Sequence, residues 1–189
     1  VGSEMCIRDR EKTMGYLVQM AGFPGTGKST LASYISKELG AIVLDRDIIK
    51  NSMLESGIEG ELLNIASYNV LYDMASDLLV QGKNVIIDTP CYYDEIVDNG
   101  IEIAFKNNVE YRYIECLVDE YTTVQERLIN RDRLPTQIEG TASDVYYRCY
   151  DKSKKPKSIN CLSLDTKDVF SIDIEIIKEY LLKGSVSNV

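Results

Sequence analysis

The chain has 189 residues, 30 acidic against 21 basic side chains, a formal net charge of -9 and no histidine. That length fits one domain with a full core, and the acidic balance argues against general nucleic-acid affinity, which rests on neutralising phosphates with Lys and Arg. Five cysteines without a C-x-x-C pair leave no grouped zinc ligands. No run is long and apolar enough to span a bilayer and no apolar signal segment stands at the N-terminus, so a cytoplasmic protein with reduced thiols is expected. Without histidine, any general base must be a carboxylate, a lysine, a tyrosine or a cysteine.

The opening VGSEMCIRDR lacks periodicity and resembles a translated sequencing-adapter sequence, which would make Met14 the natural start. Residues 1–13 are therefore set apart as a leader, and 14–185 are expected to form one domain. Tyr16 to Ala21 is a short apolar run of the kind that forms a buried parallel strand, and it ends at Gly22. From Lys28 onward, Leu31, Tyr34, Ile35 and Leu39 recur at helical spacing, with Gly40 as the stop. Ala41 to Leu44 reads as a second strand. IIKNSMLESG and a longer stretch from about Glu61 to Val80 read as helices.

Val85 to Ile87, closed by Asp88, is a third strand, and Asp94 to Lys106 a helix. Glu110 to Val118 alternates as a fourth strand does, followed by a helix over Asp119 to Arg131 that ends at Leu134-Pro135. Thr136 to Ala142 is polar and irregular, and with Arg131 it suggests a lid over about 131–142. A tyrosine-rich helix (Ser143 to Asp151), the basic linker KSKKPK, a fifth strand (Ile159 to Leu164) and a last helix (Ile172 to Leu182) complete the chain. Strands alternating with helices imply an α/β fold with a parallel sheet.

Between the first strand and its helix stands Gly22-Phe23-Pro24-Gly25-Thr26-Gly27-Lys28-Ser29-Thr30, a G-x-x-x-x-G-K-[ST] phosphate loop. Its backbone N–H groups would surround nucleotide phosphates, Lys28 would reach the β- and γ-phosphates, and Ser29 would ligate Mg²⁺. Asp45, Asp47 and Asp88 follow the second and third strands, at the sheet edge shared with the loop. Asp45 reads as the N-cap of the next helix, whereas Asp47 and Asp88 are candidates for proton transfer and metal binding. Arg127, Arg131 and Arg133 gather beside the lid, where arginine would stabilise charge on a moving phosphoryl group. From Glu126 to Lys157 there are eight bases against five acids, which suits an anionic nucleotide, although a solvated linker accounts for KSKKPK equally well. Tyr92, Tyr93, Tyr146, Tyr147 and Tyr150 could line an acceptor pocket or stack on a base, with core packing the alternative. Cys91 reads as a small buried residue.

GFPGTGKST, LDRD followed by Lys50, VIIDT, RLINRDR and a late strand ending Leu164-Asp165-Thr166 together resemble the small P-loop kinases of the AAA-type ATP-binding group. That group includes polynucleotide-kinase-like, zeta-toxin-like and gluconate- or shikimate-kinase-like proteins. The resemblance covers Tyr16 to about Tyr180 and implies a three-layer P-loop fold with a five-stranded parallel sheet in the order 2-3-1-4-5. It further implies Asp47 as the acceptor-side base, Arg46 and Lys50 as acceptor contacts, and Asp88 as the acid after the third strand. Arg131 would be the lid arginine, with Asp165 and Thr166 near the adenine. Lys50 stands where arginine is usual, which weakens planar bidentate recognition of phosphate. No N-K-x-D or D-x-x-G motif is present, which argues against a GTPase, and the chain is too short for an AAA motor.

The expected function is therefore transfer of the ATP γ-phosphate, with Mg²⁺, to a hydroxyl of a small molecule or a nucleotide. The alternatives are an ATP-binding regulator or NTPase without an acceptor, and a zeta-like toxin kinase.

Overall fold

Six consecutive buried residues, Tyr16–Ala21 (β1), form the centre of the sheet. The run does not alternate in polarity because both faces of the strand are covered. Val18 and Met20 pack towards one layer of helices, Leu17 and Ala21 towards the other. The computed structural model describes residues 15–150 and 154–185. The expected leader and the start of the basic linker lie outside them.

In chain order the elements are β1, α1 (Lys28–Leu39), β2 (Ile42–Asp45), α2 (Arg46–Glu55), α3 (Gly60–Val80), β3 (Val85–Asp88), α4 (Asp94–Lys106), β4 (Glu110–Leu117), α5 (Tyr121–Asn130), α6 (Ser143–Tyr150), β5 (Cys161–Asp165) and α7 (Ile174–Lys183). A 3-10 turn, Val169–Ser171, precedes α7. The strands pair in parallel in the order β2-β3-β1-β4-β5. This is the five-stranded order expected from the resemblance.

Leu31, Ala32 and Ile35 of α1 and Ile177, Tyr180 and Leu181 of α7 cover one face of the sheet. Leu71, Ala75 and Leu79 of α3 and Ile96, Val97 and Ala104 of α4 cover the other. Each fully buried Leu, Ile or Val among them contributes roughly 1.5–3 kcal/mol. A third cluster, Phe23, Val118, Val124, Leu128 and Tyr146, lies under the phosphate loop.

Two polar features differ from their sequence reading. Arg112, within the alternating strand β4, is buried, and its Nε donates to the carbonyls of Tyr180 at 3.1 Å and Leu181 at 3.0 Å. It thus adds a donor to the Tyr180 carbonyl, which also accepts from Gly184 N–H at 2.8 Å, and serves the Leu181 carbonyl at the C-terminus of α7, where a cation also suits the helix dipole. The second part of the basic linker is docked rather than solvated. Lys154 N–H donates to the Cys91 carbonyl at 2.9 Å, its Nζ lies 3.2 Å from Asp94, and Lys155 Nζ lies 2.6 Å from the buried carboxylate of Glu115.

Gly100 on α4 faces the ring of Tyr111, and a Cβ there would sit 2.6 Å from Tyr111 Cε2. Alanine gains about 1 kcal/mol in helix propensity, but Tyr111 is buried and overpacking costs about 1–3 kcal/mol. Gly100→Ala is therefore expected to lower stability by about 1 kcal/mol net, read as a fall in the urea midpoint. A rise would show that the ring moves aside without cost.

Candidate nucleotide and acceptor cleft

The loop between β1 and α1 takes its shape from its glycines. Gly22, Gly25 and Gly27 have φ of 131°, 87° and 96°, the left-handed region open to glycine at no steric cost. At Gly22 a Cβ would also lie 2.5 Å from the Cys116 carbonyl oxygen, so no side chain fits. Thr26 closes the turn, its N–H and hydroxyl donating to the Phe23 carbonyl at 3.1 and 2.8 Å. Phe23 itself is buried edge-on against Tyr146, with centroids 5.1 Å apart. Gly22, Phe23 and Thr26 thus form the underside of the loop. Pro24, Gly25, Gly27, Lys28, Ser29 and Thr30 face a cleft of about 1190 Å³, into which the N-terminus of α1 points its unpaired N–H groups.

Lys28 is buried, and its Nζ donates to the Phe23 carbonyl at 3.1 Å. Asp88, at the end of β3, is also buried and takes a hydrogen bond from Ser29. Burial pushes the Lys28 pKa down and the Asp88 pKa up, outweighing the attraction that each exerts on the other. Burial thus disfavours both charged forms, a cost that a polyanion beside Lys28 and a cation beside Asp88 would offset. Among the described residues no three or more His, Cys, Asp or Glu side chains converge on a point that could hold a metal. The oxygens of Ser29 and Asp88 nevertheless fit Mg²⁺, which binds through one or two protein oxygens and completes its shell with phosphate and water.

Asp45 pairs in register with Asp88 across β2 and β3. Its carboxylate caps α2 by accepting from Asp47 N–H at 2.7 Å, as the sequence suggested. Burial, then the charge of Asp88, raises its pKa to about 6. The folded chain therefore holds this proton more tightly than the unfolded chain does. The resulting stability is fully present below about pH 4 and is lost as pH rises through about 6. Asp45→Asn keeps the cap and removes the charge. It is expected to stabilise the apo-protein at pH 8 by about 1 kcal/mol, the partly exposed side chain being screened by solvent. Melting temperatures at pH 5 and 8 test this, and an unchanged gap between the two in the variant would refute it.

Asp47 and Lys50, one turn apart on α2, line the same cleft as the phosphate loop, together with Arg46. Arg46 is buried, with its guanidinium 3.8 Å from the centroid of the Tyr68 ring and its Nη2 3.3 Å from Asn64 Oδ1. Its Nε has no hydrogen-bond partner among the described residues. Burial, and then the charge of Arg46, depress the Lys50 pKa. Asn64 and Tyr68 were not read from the sequence as part of the site, though their i,i+4 spacing places them on one face of α3. Tyr92 and Tyr93 also line the cleft, whereas Tyr146 is core. The side chain of Tyr150 lies outside the described residues.

The arginines divide. Arg131, at the C-cap of α5, lines the cleft and donates from Nη2 to the Ile138 carbonyl at 2.7 Å, and its Nε has no partner among the described residues. Arg127 also lines the cleft, but donates to the carbonyls of Gly25 (3.4 Å), Thr166 (3.2 Å) and Lys167 (2.6 Å), tying the phosphate loop to the chain after β5. Thr166 is buried, with its hydroxyl donating to the Thr26 and Leu117 carbonyls, and Asp165 accepts from Lys167 N–H. Their side chains brace the cleft from outside, and at this end Lys167, Asp168, Val169 and Phe170 line it. Residues 131–142 form no helix or strand, and Leu134, Thr136, Gln137 and Ile138 line the cleft.

A central parallel strand, a glycine loop, a helix and acids on the neighbouring strands define a P-loop nucleotide-binding fold. The family model described as an AAA domain matches residues 17–146, and the chain belongs to that family. No curated protein matches it in sequence. Among solved structures it is similar to a candidate kinase from Chloroflexus aurantiacus, at 18% identity over 91% of this chain and 99% of that one, with a TM-score of 0.72. A sugar kinase from a Janibacter species is similar at 14% identity over 93% and 99%, with a TM-score of 0.58. An APS kinase from Mycobacterium tuberculosis, solved with AMPPNP and APS, is similar at 18% identity over 80% and 88%, with a TM-score of 0.57. At these identities the likeness is one of fold.

Proposed function

We propose that the protein is an ATP-dependent phosphotransferase that moves the γ-phosphate to a hydroxyl of a small molecule or nucleotide. The observation that carries this reading is that one cleft is lined both by the phosphate loop with Asp88 and by Arg46, Asp47, Lys50 and Arg131. A nucleotide-binding protein without an acceptor has no use for the charged groups of α2. The solved structures of like fold are named as kinases, one of them holding AMPPNP together with a second small molecule.

Lys28 and the loop N–H groups hold the phosphates. Mg²⁺, held by Ser29 and Asp88, neutralises phosphate charge when bound. Asp47 takes the proton of the acceptor hydroxyl as its oxygen forms a bond to the γ-phosphorus. The bond from that phosphorus to the bridging oxygen breaks, and ADP leaves. Arg131 bears on the charge spread over the phosphoryl oxygens, while Arg127 fixes the phosphate loop against the β5 end of the cleft. Arg46, supported on Tyr68, and Lys50 favour an acceptor that carries negative charge.

Residues 14–185 act as one catalytic domain with 131–142 as its lid. No described helix is long and apolar enough to cross a membrane, and the free thiols Cys91, Cys116 and Cys161 suit a reducing compartment such as the cytoplasm. Burial pushes the Cys91 thiol up to about 12, which makes it a packing group rather than a nucleophile.

The test is a screen with γ-labelled ATP and Mg²⁺ against pools of sugars, sugar acids, nucleosides and nucleotides. Label transferred to a member of one pool is the expected result. Slow turnover that no pool accelerates would sink the reading and favour a regulator. Growth arrest on expression, with label moving to an activated sugar, would point to a toxin kinase.

A further inference from the structure

The lid makes a hydrogen bond across the cleft that neither the phosphate loop nor an arginine clamp requires. Gln137 Nε2 donates to Asp47 Oδ2 at 2.8 Å, joining positions 90 residues apart. The amide is held in place by its own turn. Its Oε1 accepts from Leu134 N–H at 3.2 Å, and its backbone N–H donates to the Leu134 carbonyl at 2.9 Å. Its backbone carbonyl accepts from Arg133 Nη1 at 3.2 Å, and the next carbonyl, that of Ile138, accepts from Arg131. An ionised carboxylate only accepts, so the amide must present its nitrogen to Asp47.

We infer that Gln137 is a specificity-determining residue that favours a hydroxyl acceptor over water, by filling a proton-accepting position on Asp47 until an acceptor takes it. The inference rests on Asp47 being the base. With that position open, a water molecule there could attack ATP. Its oxygen would form a bond to the γ-phosphorus, the bond to the bridging oxygen would break and ADP would leave. One water proton would pass to Asp47 and the product would be inorganic phosphate. The amide donates the same hydrogen bond that the water would, so water gains nothing by displacing it. An acceptor differs because it also meets Arg46 and Lys50 beside Asp47 on α2. That binding supplies what is needed to move the amide, and the acceptor hydroxyl then donates in its place. Lid and base are thereby coupled through one side chain.

The experiment needs no acceptor. Release of inorganic phosphate from ATP and Mg²⁺ is measured for the full chain, for Gln137→Ala and Gln137→Asn, and for each combined with Asp47→Asn. Asparagine is one methylene too short to span the gap, and this small change at the lid turn keeps the test open if the alanine variant does not fold. Both single variants are expected to release phosphate about tenfold faster or more, the effect of losing a hydrogen bond to a charged group. Adding Asp47→Asn is expected to return the rate to that of the parent. Unchanged release overturns the proposal, and slower release does too, because the amide would then be orienting water rather than excluding it. Faster release that persists with Asp47→Asn also overturns it. The reading of Asp47 as base fails on a separate result, namely acceptor-dependent transfer that survives Asp47→Asn.

Discussion

Lys28→Ala is expected to lower phosphate transfer from ATP by about 10³-fold or more, the scale on which removing a preorganised charge from a phosphoryl group acts. In the structure Lys28 is buried, and its Nζ donates to the carbonyl of Phe23 within its own loop. Burial depresses its pKa despite Asp88 nearby, so the ammonium form is disfavoured by the fold alone and favoured when phosphate arrives. Lys28→Met, which keeps the length and apolar volume of the stem, separates the two roles. It should melt within a few degrees of the parent, because an apolar side chain suits a buried position, yet transfer no better than the alanine variant. Transfer is read with whichever acceptor the label screen identifies, and melting by circular dichroism. Lys28→Ala retaining a tenth of parental transfer would remove Lys28 from the machinery. A methionine variant that unfolds would show that the ammonium group is structural.

The phosphate loop was legible in the sequence because its chemistry is local. Glycines, lysine and serine stand within nine positions, and the flanking strand and helix declare themselves by apolar run and period. The N-cap role of Asp45 was legible for the same reason, since its bond spans two residues. The strand order followed from the resemblance, and the structure has that order. What periodicity could not convey was direction. Arg127 and Arg131 share a helix face in any reading of RLINRDR. Yet Arg127 turns to the carbonyls of Gly25, Thr166 and Lys167, and Arg131 to the lid, because the folded chain brings those groups to each side. The lid segment looked irregular and polar. The contact between Gln137 and Asp47 depends on a path of ninety residues returning to the same cleft, and no short window encodes it. Tyr68 was likewise one more aromatic on a long helix until α2 laid Arg46 on its ring.

Asp47→Asn should separate binding from chemistry. The substitution is nearly isosteric, and the side-chain oxygen can still accept from Gln137, so the lid contact survives. The first turn of α2 loses a charge favourable to the helix dipole, a cost of about 0.3–1 kcal/mol that melting would register. Neither the phosphate loop nor Arg127 bonds to Asp47, so affinity for a non-hydrolysable ATP analogue should stay within about twofold of the parent, well below the tenfold that 1.4 kcal/mol represents. The amide, however, cannot take a proton from an acceptor hydroxyl, and general-base catalysis is worth about 10²–10⁴-fold. With no histidine in the chain, the other carboxylates that line the cleft are Asp45, Asp88, Asp132 and Asp168. Asp45 already caps α2, Asp88 is engaged by Ser29 beside Lys28, Asp168 accepts from Phe170 N–H, and Asp132 is exposed to solvent. Transfer should therefore fall by about 10²-fold or more with nucleotide binding intact. Turnover within threefold of the parent would mean that the acceptor loses its proton elsewhere, and the charged groups of α2 would then serve only to hold the acceptor.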